Sequence, residues 1–144
     1  MPNQVLTRRA RKALQIAREQ AQRAGRRWFG PSHILLGMLK EGTGIGARSL
    51  SVLGVTYQTV PDSWKIRRST DSIRLETSES QPDPPASIVL ANACRIARER
   101  GRAWVGTEHL LLSLLETPIS CALLGEIGID RCRLRSLVLE IIED

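Results

Sequence analysis

Two stretches decide the fold: Gly30-Pro31-Ser32-His33-Ile34-Leu35-Leu36-Gly37-Met38-Leu39 and Gly106-Thr107-Glu108-His109-Leu110-Leu111-Leu112-Ser113-Leu114-Leu115. Each is a glycine, a polar helix start, one histidine and a dense aliphatic run. The histidines stand 76 positions apart (109 − 33), and a Gly-Arg-x-Trp segment precedes each stretch, Gly25-Arg26-Arg27-Trp28 and Gly101-Arg102-Ala103-Trp104. At that single offset about a dozen of roughly 33 positions are identical, which marks an internal duplication. Ala10/Ala86, Leu14/Leu90, Ala17/Ala93 and Ala21/Ala97 are among the identities. Their spacing puts them on one face of a helix.

Working outward, Thr7 is a helix N-cap, and Arg8 to Ala24 reads as a helix with Ala10, Ala13, Leu14, Ala17, Ala21 and Ala24 on its buried stripe. Gly25 ends it. Arg8, Arg9, Arg11, Lys12, Arg18 and Arg23 crowd the exposed face, opposed only by Glu19. Cations in a first turn act against the helix dipole and form an anion-attracting patch. The next helix begins near Gly30 or Pro31, and His33 to Lys40 is apolar nearly all round, which places it at the centre. Ile45 to Leu53 is a short helix stopped by Gly54, followed by a weaker segment around Thr56 to Ile66.

The second copy repeats this order. Asp83 caps a helix through Ala86 to Arg100, which Gly101 ends. Thr107 is read as the cap of the following buried helix, with Glu108 in its first turn where the dipole favours an acid. Pro118 to Glu126 is a short helix, and Asp130 caps a last one through Leu134, Leu137, Val138, Ile141 and Ile142. The expected fold is therefore all-α, a pseudo-twofold duplicated bundle of about eight helices. It forms one domain over 1–144, with a four-helix repeat over 5–66, a polar linker over 67–82 and a second repeat over 83–144.

Composition sets the bounds. A chain of 144 residues suffices for one core and is short for two. Aromatics make up only 3%, so Leu, Ile, Val and Ala must build the interior, which favours helix packing. No apolar run reaches the roughly 18 residues of a membrane span. Three cysteines, Cys94, Cys121 and Cys132, fit neither a metal motif nor a disulfide framework. They read as reduced thiols of a cytoplasmic protein. The net charge of +6 comes almost wholly from arginine and fits either an arginine-rich soluble surface or an anionic partner.

No catalytic or metal constellation emerges. His33 and His109 lack a second ligand at helical spacing and read as structural. Trp28 and Trp104 occupy equivalent places and are expected as core anchors, while Trp64 has no counterpart and is expected to be partly exposed.

The arrangement resembles the N-terminal domain of Clp ATPase chaperones, the double Clp repeat of the ClpA and ClpC type. Leu6-Thr7-Arg8-Arg9-Ala10 matches the family's opening and Gly106-Thr107-Glu108-His109-Leu110-Leu111-Leu112 its central motif. Lys40-Glu41-Gly42-Thr43-Gly44-Ile45-Gly46-Ala47-Arg48 matches its loop and third helix, and Leu53-Gly54-Val55 its close. The resemblance spans practically the whole chain. It implies a non-catalytic module that needs no cofactor and recognises substrates or adaptor proteins, or docks on Clp ATPase or Clp protease subunits. No Gly-x-x-x-x-Gly-Lys-Ser/Thr nucleotide loop occurs in the sequence.

Within the ClpC branch the resemblance also implies binding of phosphoarginine-bearing substrates. A glutamate holds the guanidinium and helix starts receive the phosphate. On this chain the candidate ligand residues are Glu108 and Thr107 in one copy, Thr7 and Arg8 at the first helix start, and Ser32 at the start of the first copy's central helix. Ser32 stands where the first copy would carry its glutamate, and Asp83 where the second would carry its threonine. The alternative function is a basic helical nucleic-acid-binding protein, which the charge favours but which lacks stacking aromatics and a reading helix.

Overall fold

In the computed structural model, residues 5–23, 27–60, 81–117, 124–126 and 128–143 are described. Among these, six helices carry the architecture. The first half contributes β1 (Val5–Leu6), α1 (Arg8–Arg23), β2 (Trp28–Phe29), α2 (Pro31–Glu41) and α3 (Ile45–Val52). The second half contributes β3 (Gln81–Pro82), α4 (Pro84–Glu99), β4 (Trp104–Val105), α5 (Thr107–Glu116) and α6 (Arg131–Glu143). Residues 124–126 are also helical. Expectations for Ala24, Gly25, Trp64, Cys121, the stretches 61–66 and 118–123 and most of the linker over 67–82 lie outside the described residues, while Gln81 and Pro82 at the linker's end form β3.

The fold is the expected all-α duplicated bundle. The central helices α2 and α5 form its interior, with α1 packed on α2 and α4 packed on α5. Ile34, Leu36, Met38, Leu110, Leu111 and Leu114 are fully buried. The alanine stripe of α1 behaves as its period requires, with Ala10, Ala13, Ala17 and Ala21 wholly inside. Small side chains let the helices approach closely. A Cβ added to Gly37 of α2 would run into the carbonyl oxygen of Ala13, with the backbone N of Ala17 at 3.1 Å. At the equivalent crossing in the second copy, Ser113 stands in place of Gly37 and donates a 2.7 Å hydrogen bond to the carbonyl of Val89.

The two-residue strands fasten the copies to each other. β1 pairs in parallel with β4, and β2 pairs in parallel with β3. The N–H of Thr7 donates to Val105 O and the N–H of Asp83 to Phe29 O, both at 2.9 Å. Each copy thus extends its first residues onto the strand that precedes the other copy's central helix, an exchange that makes the bundle pseudo-twofold.

This pairing overturns the expected place of two tryptophans. Trp28 and Trp104 are 53% and 54% exposed, whereas their neighbours Phe29 and Val105 are buried. Successive residues of a strand face opposite sides. The aliphatic run that follows each strand draws Phe29 and Val105 inward, and the tryptophans turn outward.

Candidate functional site

The starts of α1, α3 and α5 converge on an open cleft of about 620 Å³ lined by residues from both copies. Thr7, Arg8, Arg9 and Lys12 come from α1 and its cap. Glu41, Thr43, Gly44 and Ile45 come from the α2–α3 turn, and Thr107 and Glu108 from α5.

Each wall has a local cause. Thr7 Oγ1 accepts from the Ala10 N–H at 3.1 Å and Thr7 O from the Arg11 N–H at 2.9 Å, which starts α1. The N–H groups of Arg8 and Arg9 have no acceptor among the described residues and belong to the unpaired donors of a helix start. In the turn, Glu41 Oε1 accepts from the N–H groups of Thr43 and Gly44 at 3.0 and 2.9 Å, and Glu41 Oε2 accepts from the Thr43 hydroxyl. Arg9 Nε donates to Thr43 Oγ1 at 3.1 Å, tying α1 to that turn.

Thr107 is the weld between α3 and α5. Its Oγ1 accepts from the Gly46 N–H at 3.1 Å. A Cβ on Gly44 would collide with that side chain, so the turn approaches it only as glycine. Thr107 is not the cap the sequence suggested. Gly106 is the N-cap of α5, and His109 Nδ1 accepts from its N–H at 2.9 Å. His33 Nδ1 makes the same bond with the Gly30 N–H at 2.9 Å. Each histidine supplies the returning half of a capping box, a place that Glu or Gln takes in other helices.

His109 is buried and its Nε2 has no hydrogen-bond partner among the described residues. Because Nδ1 is an acceptor, the ring is neutral with its proton on Nε2. Burial pushes its pKa below the ordinary 6.5; Glu108 acts in the opposite sense, and Arg100 and Arg102 reinforce the depression. Glu108 itself is half-buried, and its carboxylate lies over Gly106, where a Cβ would strike it.

The cleft therefore gathers three cationic side chains, Arg8, Arg9 and Lys12, with two carboxylates, Glu108 and the Glu41 that is already engaged by the α2–α3 turn. It can meet an anion with helix-start donors and cations, and a guanidinium or ammonium with Glu108. Thr7, Arg8, Thr107 and Glu108, singled out in the sequence, come together here. Ser32 does not line this cleft and lies at the start of α2. Arg9 and Lys12 belong to the anion-attracting patch read on α1, whereas Glu41 and Thr43 were not anticipated as site residues, because only folding brings the α2–α3 turn against α1 and α5. Among the described residues no group of three or more His, Cys, Asp or Glu side chains is placed to hold a metal.

A family model described as the Clp repeat N-terminal domain matches residues 5–87 and 81–144. The chain belongs to the Clp repeat N-terminal domain family. It is 34% identical over 142 residues to the negative regulator of genetic competence ClpC/MecB of Bacillus subtilis, a match covering 94% of this chain and 17% of that protein. It is 31% identical over 138 residues to chaperone protein ClpB of Oceanobacillus iheyensis, covering 94% of this chain and 17% of that one. The Clp repeat chain thus spans about a sixth of the length of these curated relatives.

Solved structures agree on the Clp repeat fold. The N-terminal domain of ClpD from Arabidopsis thaliana matches with a TM-score of 0.76 at 18% identity, over 96% of this chain and 95% of that one. The Hsp104 N-terminal domain from Candida albicans matches with a TM-score of 0.77 at 20% identity, over 95% of this chain and 91% of that one. Among the described residues no helix of this Clp repeat domain is long and apolar enough to cross a membrane.

Proposed function

We propose that this chain is a non-catalytic protein-interaction module of a Clp chaperone and protease system, with its repeats over 5–66 and 83–144. Its partners are substrate or adaptor proteins, or Clp ATPase and Clp protease subunits. The observation that carries this reading is the cleft between the copies, where the α1 start meets the α5 start and cations stand beside Glu108. A recognition site needs such opposed charges on rigid elements, and no nucleophile or base is required.

The chemistry of the cleft suits a ligand that carries a cationic group and an anionic group close together. An arginine-phosphorylated substrate has that character, with Glu108 on the guanidinium side and Arg8, Arg9 and the α1 start on the phosphate side. Thr107 contributes by holding α3 against α5.

The test is binding of an arginine-phosphorylated peptide, with the unphosphorylated peptide as control. Selective binding is expected, weakened about tenfold or more by Glu108→Ala, since a charge-assisted pair carries on the order of 1.5–3 kcal/mol. Far-UV circular dichroism of the variant should be unchanged. Equal binding of both peptides would sink the phosphoarginine assignment. Affinity capture from the source cell then addresses the wider reading, and recovery of nucleic acid without any Clp component would overturn it.

A further inference from the structure

The pseudo-twofold relation that builds the first cleft also defines a second position, where the starts of α4 and α2 meet. There Asp83 replaces Thr7, Pro84 and Pro85 replace Arg8 and Arg9, Ile88 replaces Lys12, and Ser32 replaces Glu108. The backbone frame is the same: Asp83 N–H donates to Phe29 O as Thr7 N–H donates to Val105 O. The donors are not the same. Proline has no N–H, so the first two turn donors of α4 do not exist. The third, Ala86 N–H, is held by Asp83 Oδ1 at 2.8 Å, and the fourth, Ser87 N–H, by Asp83 O at 2.8 Å. The other carboxylate oxygen of Asp83 lies across Gly30, the N-cap of α2, 2.8 Å from where a Cβ on that glycine would stand.

We infer that Asp83, with Pro84 and Pro85, is the specificity determinant that makes the domain asymmetric. The Asp83 carboxylate takes the place of a ligand's anionic group at the second position, so the chain takes one anionic group per domain, in the first cleft only. The charge pattern supports the same division. The first cleft carries Arg8, Arg9 and Lys12, which are exposed, whereas at the equivalent places Pro84 and Ile88 are exposed and uncharged and Pro85 is half-buried. An incoming anion at the second position would meet a fixed carboxylate, no cation of α4's first turn and no free N–H of that turn. The inference rests on reading the first cleft as an anion site, and the following experiment separates the two.

The probe is inorganic phosphate, titrated into isotopically labelled protein at constant ionic strength while backbone amide resonances are followed. Wild type should respond at Arg8, Arg9 and Glu108 and remain silent at Ala86 and Ser87. A triple variant, Asp83→Thr with Pro84→Arg and Pro85→Arg, copies the first start onto the second. It should add a saturable response at its α4 start and raise the stoichiometry from one to two. A saturable response of Ala86 and Ser87 in wild type would overturn the inference, whatever the folding of the variant. A folded triple variant with no new response would also overturn it. Silence at Arg8 and Arg9 with a gained response in the triple variant would reject the first cleft as an anion site while leaving Asp83 and the prolines as the block.

Discussion

His109 Nδ1 accepts the N–H of Gly106 at 2.9 Å, and its other ring nitrogen is buried with no hydrogen-bond partner among the described residues. Protonation would turn Nδ1 into a donor facing a donor. The folded state therefore favours the neutral ring, and burial holds the pKa below its ordinary 6.5. The unfolded chain then binds more protons as the pH falls, so the stabilisation is fully present above about pH 6.5 and is lost below it, towards the folded pKa. Urea midpoints should fall between about pH 7 and pH 5. His109→Gln keeps a side chain that can reach back to the N-cap but does not titrate. It should reduce that fall; an unchanged acid limb would show that His109 is not its source.

Gly37 and Gly54 should fail for different reasons when changed to alanine. At Gly37 the new Cβ would meet the backbone of α1, which cannot move aside without opening the α1–α2 interface. Overpacking of that kind costs about 1–3 kcal/mol and should broaden the spectra of both helices. Gly54 has a φ of 84° with nothing within 4 Å of an added Cβ. Its loss should be about 1–2 kcal/mol from backbone strain alone, with the core unaffected. Chemical denaturation with amide spectra of each variant distinguishes the two.

Phe29 and Trp28 are adjacent, yet Phe29 is fully buried and Trp28 half exposed. Phe29→Ala should cost about 3–5 kcal/mol, the range of a large core truncation. Trp28→Ala, and likewise Trp104→Ala, should cost about 1 kcal/mol. Thermal denaturation of the three variants checks this, and a loss at Trp28 equal to that at Phe29 would contradict the outward orientation.

Removing the Thr107 hydroxyl tests the joint between α3 and α5. Thr107→Val leaves the Gly46 N–H without its acceptor in a buried setting, at a cost of about 1–3 kcal/mol. The amide of Gly46 should lose hydrogen-exchange protection more than that of Ser113, which lies deep in α5. Equal loss across the domain would mean that Thr107 acts on global stability rather than at this joint.

Much of this architecture was legible in the residues. The alanine stripe of α1 appears in the sequence because a helix repeats its faces every few positions, and Ala10, Ala13, Ala17 and Ala21 are all inside. The all-apolar runs after His33 and His109 announced central helices for the same reason. The 76-residue offset holds at the level of single bonds, where His33 and His109 each close the first turn of a buried helix. The tryptophans were misplaced because a two-residue strand is too short to show its alternation, and only the following run tells which neighbour turns inward.

By itself the sequence determined the duplication, the helical class and the buried faces, all of which rest on local periodicity and on identity between the copies. Tertiary structure alone decided that β1 pairs with β4 and β2 with β3, and hence that Thr7 and Arg8 of one copy stand beside Thr107 and Glu108 of the other. The physical reason is that a strand exchange two residues long and a turn docked on a distant helix leave no periodic trace, and are chosen by which backbone groups find partners once the aliphatic core has closed.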